Sequence, residues 1–410
     1  MSRIFAFTLG TLTAIGGFLD IGDLIADAQV GARFGLSLAW VTVIATIGIV
    51  CFSEMAGRVA IASQLPPLSL ARTRLGPKYA FLALLASVAI TALLVMAELA
   101  GVALALELAS SIHYLLWVPV AAIVLLVMVW ALPFETMERF YGIVGLTMLV
   151  YLVAVWQLGP DWSRLLESAT TPVPAADETW ASYAFFAILL IGAQMTPYEM
   201  TFFAGGSVES RWRREDLRLM QFNALVGFPL GALIAIAIQA IAFVVFFDLG
   251  ITVEHLSQTA LPVALALGKI GLVIALVGIF AVTFGAAIET LFSAGYDVAQ
   301  YFGWALGKVA PPVRTARFMV LVAMLVLGGT IFALTTVNPI TVTVVAVAIS
   351  GALLPFLYLP VLLVANDRKV MGDLANGPLS NTVGTLALVV SIVVSIAALP
   401  LLILTRAGAA

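Results

Sequence analysis

Long apolar runs alternate with short charged segments along the chain. Runs free of Asp, Glu, Lys, Arg and His fall at 34–53, 79–97, 114–134, 140–160, 179–198, 219–247, 270–288, 318–366 and 374–405. A spanning helix needs about 20 such residues, because the hydrocarbon is about 30 Å thick and each residue rises about 1.5 Å. The 318–366 run is too long for one span and contains Asn338-Pro339, a turn signal, so it predicts two helices with a tight connection. With the 4–19 segment the pattern predicts eleven transmembrane helices in an all-α integral membrane protein.

Composition agrees: of 410 residues 63% are hydrophobic and 10% charged, outside the range of soluble domains. Mean hydropathy is +1.14. This excludes a soluble single-core enzyme, and a net charge of -3 gives no basic patch for nucleic acid. Cys51 stands alone, so neither an internal disulfide nor a cysteine zinc cluster is available. Met1 to Leu19 lacks the pattern of a cleavable signal.

Positive charges orient the spans. With the N-terminus cytoplasmic, the inner loops carry Arg3, Arg58, Arg72, Arg74, Lys78, Arg139, Arg211, Arg213, Arg214, Arg218, Lys308, Arg314, Arg317, Arg368 and Lys369. The outer side keeps Arg33, Arg164, Lys269 and Arg406, so the bias is fifteen to four. The C-terminus is then outside and 158–179 is the longest external loop.

The chemistry lies in acids where acids are costly. A carboxylate at the bilayer centre costs about 2.5–3.5 kcal/mol even on a lenient insertion scale, so each needs a partner or a task. The set is Asp20, Asp23, Asp27, Glu54, Glu98, Glu107, Glu199, Glu289 and Asp297, and no base sits mid-span beside them. Each is therefore protonated, at a watered face, or binding a cation. Asp20-Ile21-Gly22-Asp23 follows a segment short for a full span, which predicts a first helix unwound in its middle; the bland alternative is the wetted end of a short helix. The mostly apolar stretch from Ala28 to Val50 that follows suggests one helix interrupted and then a second. The sixth run carries a matching interruption at Gly192-Ala193-Gln194-Met195-Thr196-Pro197-Tyr198-Glu199, where Pro197 releases the Ala193 carbonyl from helical bonding. Alone this is an ordinary proline kink. Two breaks five spans apart are what inverted five-helix repeats produce, with substrate and ion held where they meet.

With these breaks in place the chain resembles the NRAMP family of divalent metal transporters. Its first-helix pattern is met by Asp20, Gly22, Asp23, Asp27, Gln29, Gly31, Ala32, Phe34, Gly35 and Trp40. Its third-helix pattern is met by Ala97, Glu98, Gly101, Ala103, Ala105 and Leu106. Its tenth is met by Leu354, Pro355, Phe356, Pro360, Asp367, Arg368, Lys369, Met371 and Gly372. The resemblance implies a LeuT-type inverted 5+5 repeat with broken helices 1 and 6. Residues 1–157 would form the first repeat, 158–179 the external loop, 180–366 the second repeat, and 367–410 a cytoplasmic loop and the eleventh helix.

Carried over position by position, the resemblance puts Asp20, Asp23, the Ala193 carbonyl and Thr196 around the metal. The family's amide is here a carboxylate and its thioether a hydroxyl. An all-oxygen site favours hard ions such as Mg²⁺, Mn²⁺ and Ca²⁺ over ions that prefer sulfur. Met195, one residue from the sulfur position, is the other candidate contact; a shift of one residue turns a helical side chain by about 100°. The family's sixth-helix His is Tyr198 here, and its third-helix acidic pair keeps only Glu98, with Val95 at the other position. Losing the side chain that titrates near neutrality weakens a proton relay. The pattern is similar to the NRAMP-related magnesium transporters, a branch without the soft ligand and without proton coupling. Val347 stands where the parent family has a tenth-helix Gln.

The remaining acids keep two readings each. Glu199 is a third cavity acid or faces a polar crevice. Glu289 and Asp297 share a face of the eighth span as an inner vestibule or a protonated buried pair. Glu54 is expected to pair with Arg58 at i,i+4, and Glu107 to meet water. The expectation is a secondary transporter of Mg²⁺ and Mn²⁺ without H⁺ coupling and without a resident cofactor. It is expected as a monomer in a bacterial plasma membrane, partnered by the ion and the lipid bilayer and not by nucleic acid. A proton-coupled Mn²⁺ symporter is the alternative, with Asp27 and Glu98 carrying the proton. An amino-acid transporter on this fold would bring a substrate carboxylate against two Asp. A membrane hydrolase would need a histidine metal set, but His113 and His255 both lie in outer loops, so no enzyme is expected.

Overall fold

A computed structural model describes residues 19–307, 312–335 and 338–409. The helix expected at 4–19 lies outside the described residues. From Ile21 onward the regular structure is helical. The chain runs α1 (Ile21–Phe34), α2 (Ala39–Ser63), α3 (Pro67–Arg74), α4 (Pro77–Ser110), α5 (Tyr114–Ala131), α6 (Phe134–Gly145), α7 (Val150–Leu158) and α8 (Trp162–Thr170). It continues through α9 (Trp180–Gln194), α10 (Pro197–Glu209), α11 (Leu217–Phe246), α12 (Ser257–Phe302), α13 (Ala316–Ala333), α14 (Pro339–Asn366), α15 (Arg368–Met371) and α16 (Pro378–Leu404). Among the described residues ten stretches are long and apolar enough to cross a membrane, and they coincide with the ten runs expected after residue 19.

The boundaries follow local chemistry. Asn338 caps α14 by accepting the Ile340 N–H, with Pro339 in the first turn where no amide partner is needed, so the 318–366 run divides as expected. Two runs extend beyond their apolar limits: α4 continues past Glu98 and Glu107, and α12 past Glu289 and Asp297. A buried carboxylate does not end a helix whose backbone bonds are already satisfied. The Ala28 to Val50 stretch holds the end of one helix and the start of the next, as expected. Gly35, at φ 61°, ends α1, and α2 begins at Ala39. The external loop 158–179 contains α8, capped by Asp161.

Hydrogen bonds sort the loops onto two ends. At one end Arg33 binds Glu178 at 2.5 and 2.9 Å and also the Gly408 carbonyl, while the Leu36 N–H donates to Ser168 Oγ at 2.9 Å. Arg164 pairs with Asp248 there. At the other end Arg58 binds Glu54 at 2.8 Å, Asn376 and the Leu374 carbonyl, so the expected Glu54–Arg58 pair is present. Arg74 pairs with Asp367, and Arg214 with Asp373. The outer surface is a belt of exposed Leu, Ile and Val, including Ile47, Leu82, Leu85, Ile123, Ile396 and Ile403, as a lipid-facing wall requires.

Candidate functional site

At the centre stands α1, packed against α4, α9, α11, α12 and α14. Its first turn is closed by reciprocal capping: Asp20 Oδ1 accepts the Asp23 N–H at 3.0 Å and Asp23 Oδ2 accepts the Asp20 N–H at 3.1 Å. The expected first break therefore lies at Leu19 and Asp20, which are non-helical, while Ile21–Asp23 already belong to the helix. The helix begins at Ile21 with Asp20 as its cap, because the two carboxylates replace the partners that the first amides lack. Gly22 is there for close approach: a Cβ would lie 2.7 Å from Val347 Cγ2.

The second break matches expectation. The chain leaves α9 at Gln194 and re-enters a helix at Pro197. The Ala193 carbonyl, freed by Pro197, accepts the Thr196 hydroxyl at 3.1 Å. Two expected ligands thus bond each other, leaving the carbonyl one further lone pair. The Met195 carbonyl takes the Tyr358 hydroxyl at 2.6 Å. The Met195 thioether lies against Gly48, with the Ala387 methyl beside it. Val347 closes the space between the breaks, its carbonyl 2.6 Å from where a Gly192 Cβ would stand.

Carboxylates converge on this junction. The Tyr198 hydroxyl donates to Asp20 Oδ2 at 3.4 Å, and Glu98 Oε1 accepts the Ile21 N–H at 3.1 Å. Asp20, Asp23, Glu98, Tyr198 and Glu199 are all buried. A small cavity of about 10 Å³ opens among α1, α2, the α9–α10 break and α11; Asp23, Thr46, Gln194 and Glu199 are its polar lining. No basic residue lines it. Asp27 points elsewhere: Gln239 of α11 donates to its Oδ1 at 2.7 Å and to Thr42 at 2.9 Å. Asp297 accepts the Ser87 hydroxyl of α4, far along α12 from the break. Among the described residues no three His, Cys, Asp or Glu side chains come together as a metal cluster. Two acids with hydroxyl, amide and carbonyl oxygens suit transient binding of a hard cation more than a resident metal.

Gln194, Thr46, Gln239, Tyr358 and Ser87 were not anticipated. Each is an uncharged polar side chain inside an apolar run, a milder signal than an ionisable group in the same place.

The family pattern described as natural resistance-associated macrophage protein-like matches residues 10–400. The chain belongs to the NRAMP family. It is 25% identical over 397 residues to the divalent metal cation transporter MntH of Ralstonia nicotianae, covering 91% of this chain and 86% of that protein. In fold this NRAMP chain resembles the Eremococcus coleocola manganese transporter, with a TM-score of 0.68 at 17% identity, covering 97% of this chain and 87% of that one. It also resembles MhsT, solved with L-phenylalanine, with a TM-score of 0.62 at 17% identity and 98% of both chains covered. These likenesses show the LeuT-type helical fold of a multi-pass integral membrane protein, and the relatives are transporters rather than enzymes. Each capped or broken helix end described above lies within the stretch that the family pattern spans.

Proposed function

We propose that this NRAMP-family chain is a secondary transporter of divalent metal cations, Mg²⁺ and Mn²⁺, working by alternating access without proton coupling. In this reading it belongs with the NRAMP-related magnesium transporters. The observation that carries it is the donor set at the two breaks: carboxylate, carbonyl, hydroxyl and amide groups, with the one nearby sulfur, that of Met195, packed against Gly48. Oxygen-only donors suit hard ions, and the relatives' names make divalent metal the natural cargo.

The uncoupled part rests on what surrounds Glu98. On the α13 side of α4, Val95 and Leu99 pack on Gly329 beside Val322 and Val326, an apolar contact that supports the absence of a proton path in that direction. The phenol at Tyr198 does not titrate near neutrality as an imidazole does. The two halves, 1–157 and 180–366, would rock about the site, with the N-terminus and the end bearing Arg58, Arg74 and Arg214 at the cytoplasmic face of a monomer. Proteoliposomes loaded with a metal dye and a pH dye test this. Mn²⁺ and Mg²⁺ influx without internal acidification is expected, and acidification in step with metal entry would overturn the uncoupled reading.

The proton-coupled alternative keeps one observation: Glu98 Oε2 has no partner among the described residues, and Glu98 meets the chain one residue from Asp20. A Glu98→Gln variant separates the readings, since coupling through Glu98 predicts loss of pH-driven uptake while metal-gradient uptake persists.

A further inference from the structure

We infer that the cation-facing acidic pair in this chain is Asp23 with Glu199, and that a divalent cation held between them keeps part of its water. The inference rests on the divalent-cation reading above and names a ligand that the family's metal position does not supply. It comes from counting oxygens. Both oxygens of Asp20 are engaged, one with the Asp23 amide at 3.0 Å and the other with the Tyr198 hydroxyl at 3.4 Å. One oxygen of Asp23 is engaged with the Asp20 amide. Four carboxylate oxygens are buried without a partner among the described residues, on Asp23, Asp27, Glu98 and Glu199, and of these Asp23 Oδ1 and Glu199 Oε2 belong to residues that line the cavity. Their residues are 2% and 5% exposed, and both line the same cavity.

A buried carboxylate oxygen without a donor is costly, and two in one cavity without a base repel each other. A cation of charge two removes both penalties. Helix geometry fixes the pair: Asp23 is held in the first turn of α1 by the capping box, and Glu199 sits in the first turn of α10 behind Pro197. Gln194 and Thr46 supply the rest of the polar wall, joined to each other at 3.4 Å. Two free carboxylate oxygens, one amide and one hydroxyl cannot complete about six ligands around Mg²⁺ or Mn²⁺, so water supplies the remainder. Phe228 and Gly231 of α11 form the opposite apolar wall, which offers no further ligand.

The test uses the purified full chain in detergent, with Mn²⁺ binding followed by loss of the free-ion electron paramagnetic resonance signal. Deuterium modulation in D₂O counts the waters on bound Mn²⁺. Wild type is expected to bind Mn²⁺ with exchangeable water in its shell and to release it to Mg²⁺. Glu199→Gln is expected to weaken binding at least tenfold and more than Asp20→Asn does, with Glu199→Asp in between. Size-exclusion and melting profiles confirm that each variant folds; if Glu199→Gln does not, Glu199→Asp carries the comparison against wild type. Wild-type binding that Glu199→Gln or Glu199→Asp leaves unchanged would overturn the inference while leaving the divalent-cation reading intact. Bound Mn²⁺ without exchangeable water would overturn the hydrated part. No binding or flux of any divalent cation by wild type would overturn the reading itself.

Discussion

At Gly31 α1 packs on the backbone of α11, and adding one methyl there tests whether that contact holds the site. A Cβ on Gly31 would lie 2.2 Å from the Gln239 carbonyl oxygen and 2.8 Å from its carbonyl carbon and Cα. Ordinary contact needs about 3.4 Å or more, so the helices must part by about 1 Å. Backbone cannot swing aside as a side-chain tip can. Separation on that scale also stretches the 2.7 Å bond from Gln239 to Asp27 beyond hydrogen-bonding range, leaving a buried carboxylate unpaired. Overpacking costs about 1–3 kcal/mol and the orphaned group about 1–3 kcal/mol. The better helix propensity of Ala returns at most about 1 kcal/mol. Gly31→Ala is therefore expected to destabilise by about 1–6 kcal/mol. Gly328→Ala is the matched control: the same substitution in α13, with nothing within 4 Å of the new methyl, should be neutral or mildly stabilising. Thermal melting of both purified variants in one detergent checks the pair. A Gly31→Ala protein that melts at or above wild type, with Gly328→Ala unchanged, would refute the reasoning.

Met195→Leu should leave Mn²⁺ and Mg²⁺ competition unchanged in flux assays, because the sulfur packs on Gly48; a large selectivity change would return Met195 to the ligand set. Gly192→Ala would drive its Cβ against the Val347 backbone carbonyl and should abolish transport while the protein still assembles in the membrane, and wild-type flux would deny that the break needs this contact. Hydrogen bonds from Arg214 hold the Asp373 carboxyl below its ordinary range. A lowered folded pKa contributes stability above the unfolded value, about 4, and loses it as pH falls through the folded one. The small melting difference between wild type and Asp373→Asn should thus be present at pH 7 in low salt and vanish in strong acid or high salt. Persistence of that difference in acid would contradict the pairing.

Much of the fold was legible because the bilayer restricts the chain to helices of nearly fixed length. Apolar runs gave the spans, Asn338-Pro339 gave the hidden turn, and Pro197 gave the second break with its freed carbonyl. The first break was legible in its position but not in its extent. Gly22 between two Asp looked like unwound chain, yet their spacing of three also fits a capping box, and only the backbone distinguishes them. Glu199 kept two readings in the sequence, since a carboxylate's address depends on which helix comes to face it.

What the sequence determined alone was the membrane class, the number of spans after residue 19, and an excess of buried acid without base. Those properties follow from one-dimensional patterns: run length, charge sign and proline position. The tertiary structure decided which acid oxygens are already satisfied. Asp20 is engaged through Tyr198, 178 residues away, and one oxygen of Asp27 through Gln239, 212 residues away. Such pairings depend on how α1, α10 and α11 pack, which no local pattern encodes. That packing leaves one oxygen of Asp23 and one of Glu199 free and sets both on one cavity.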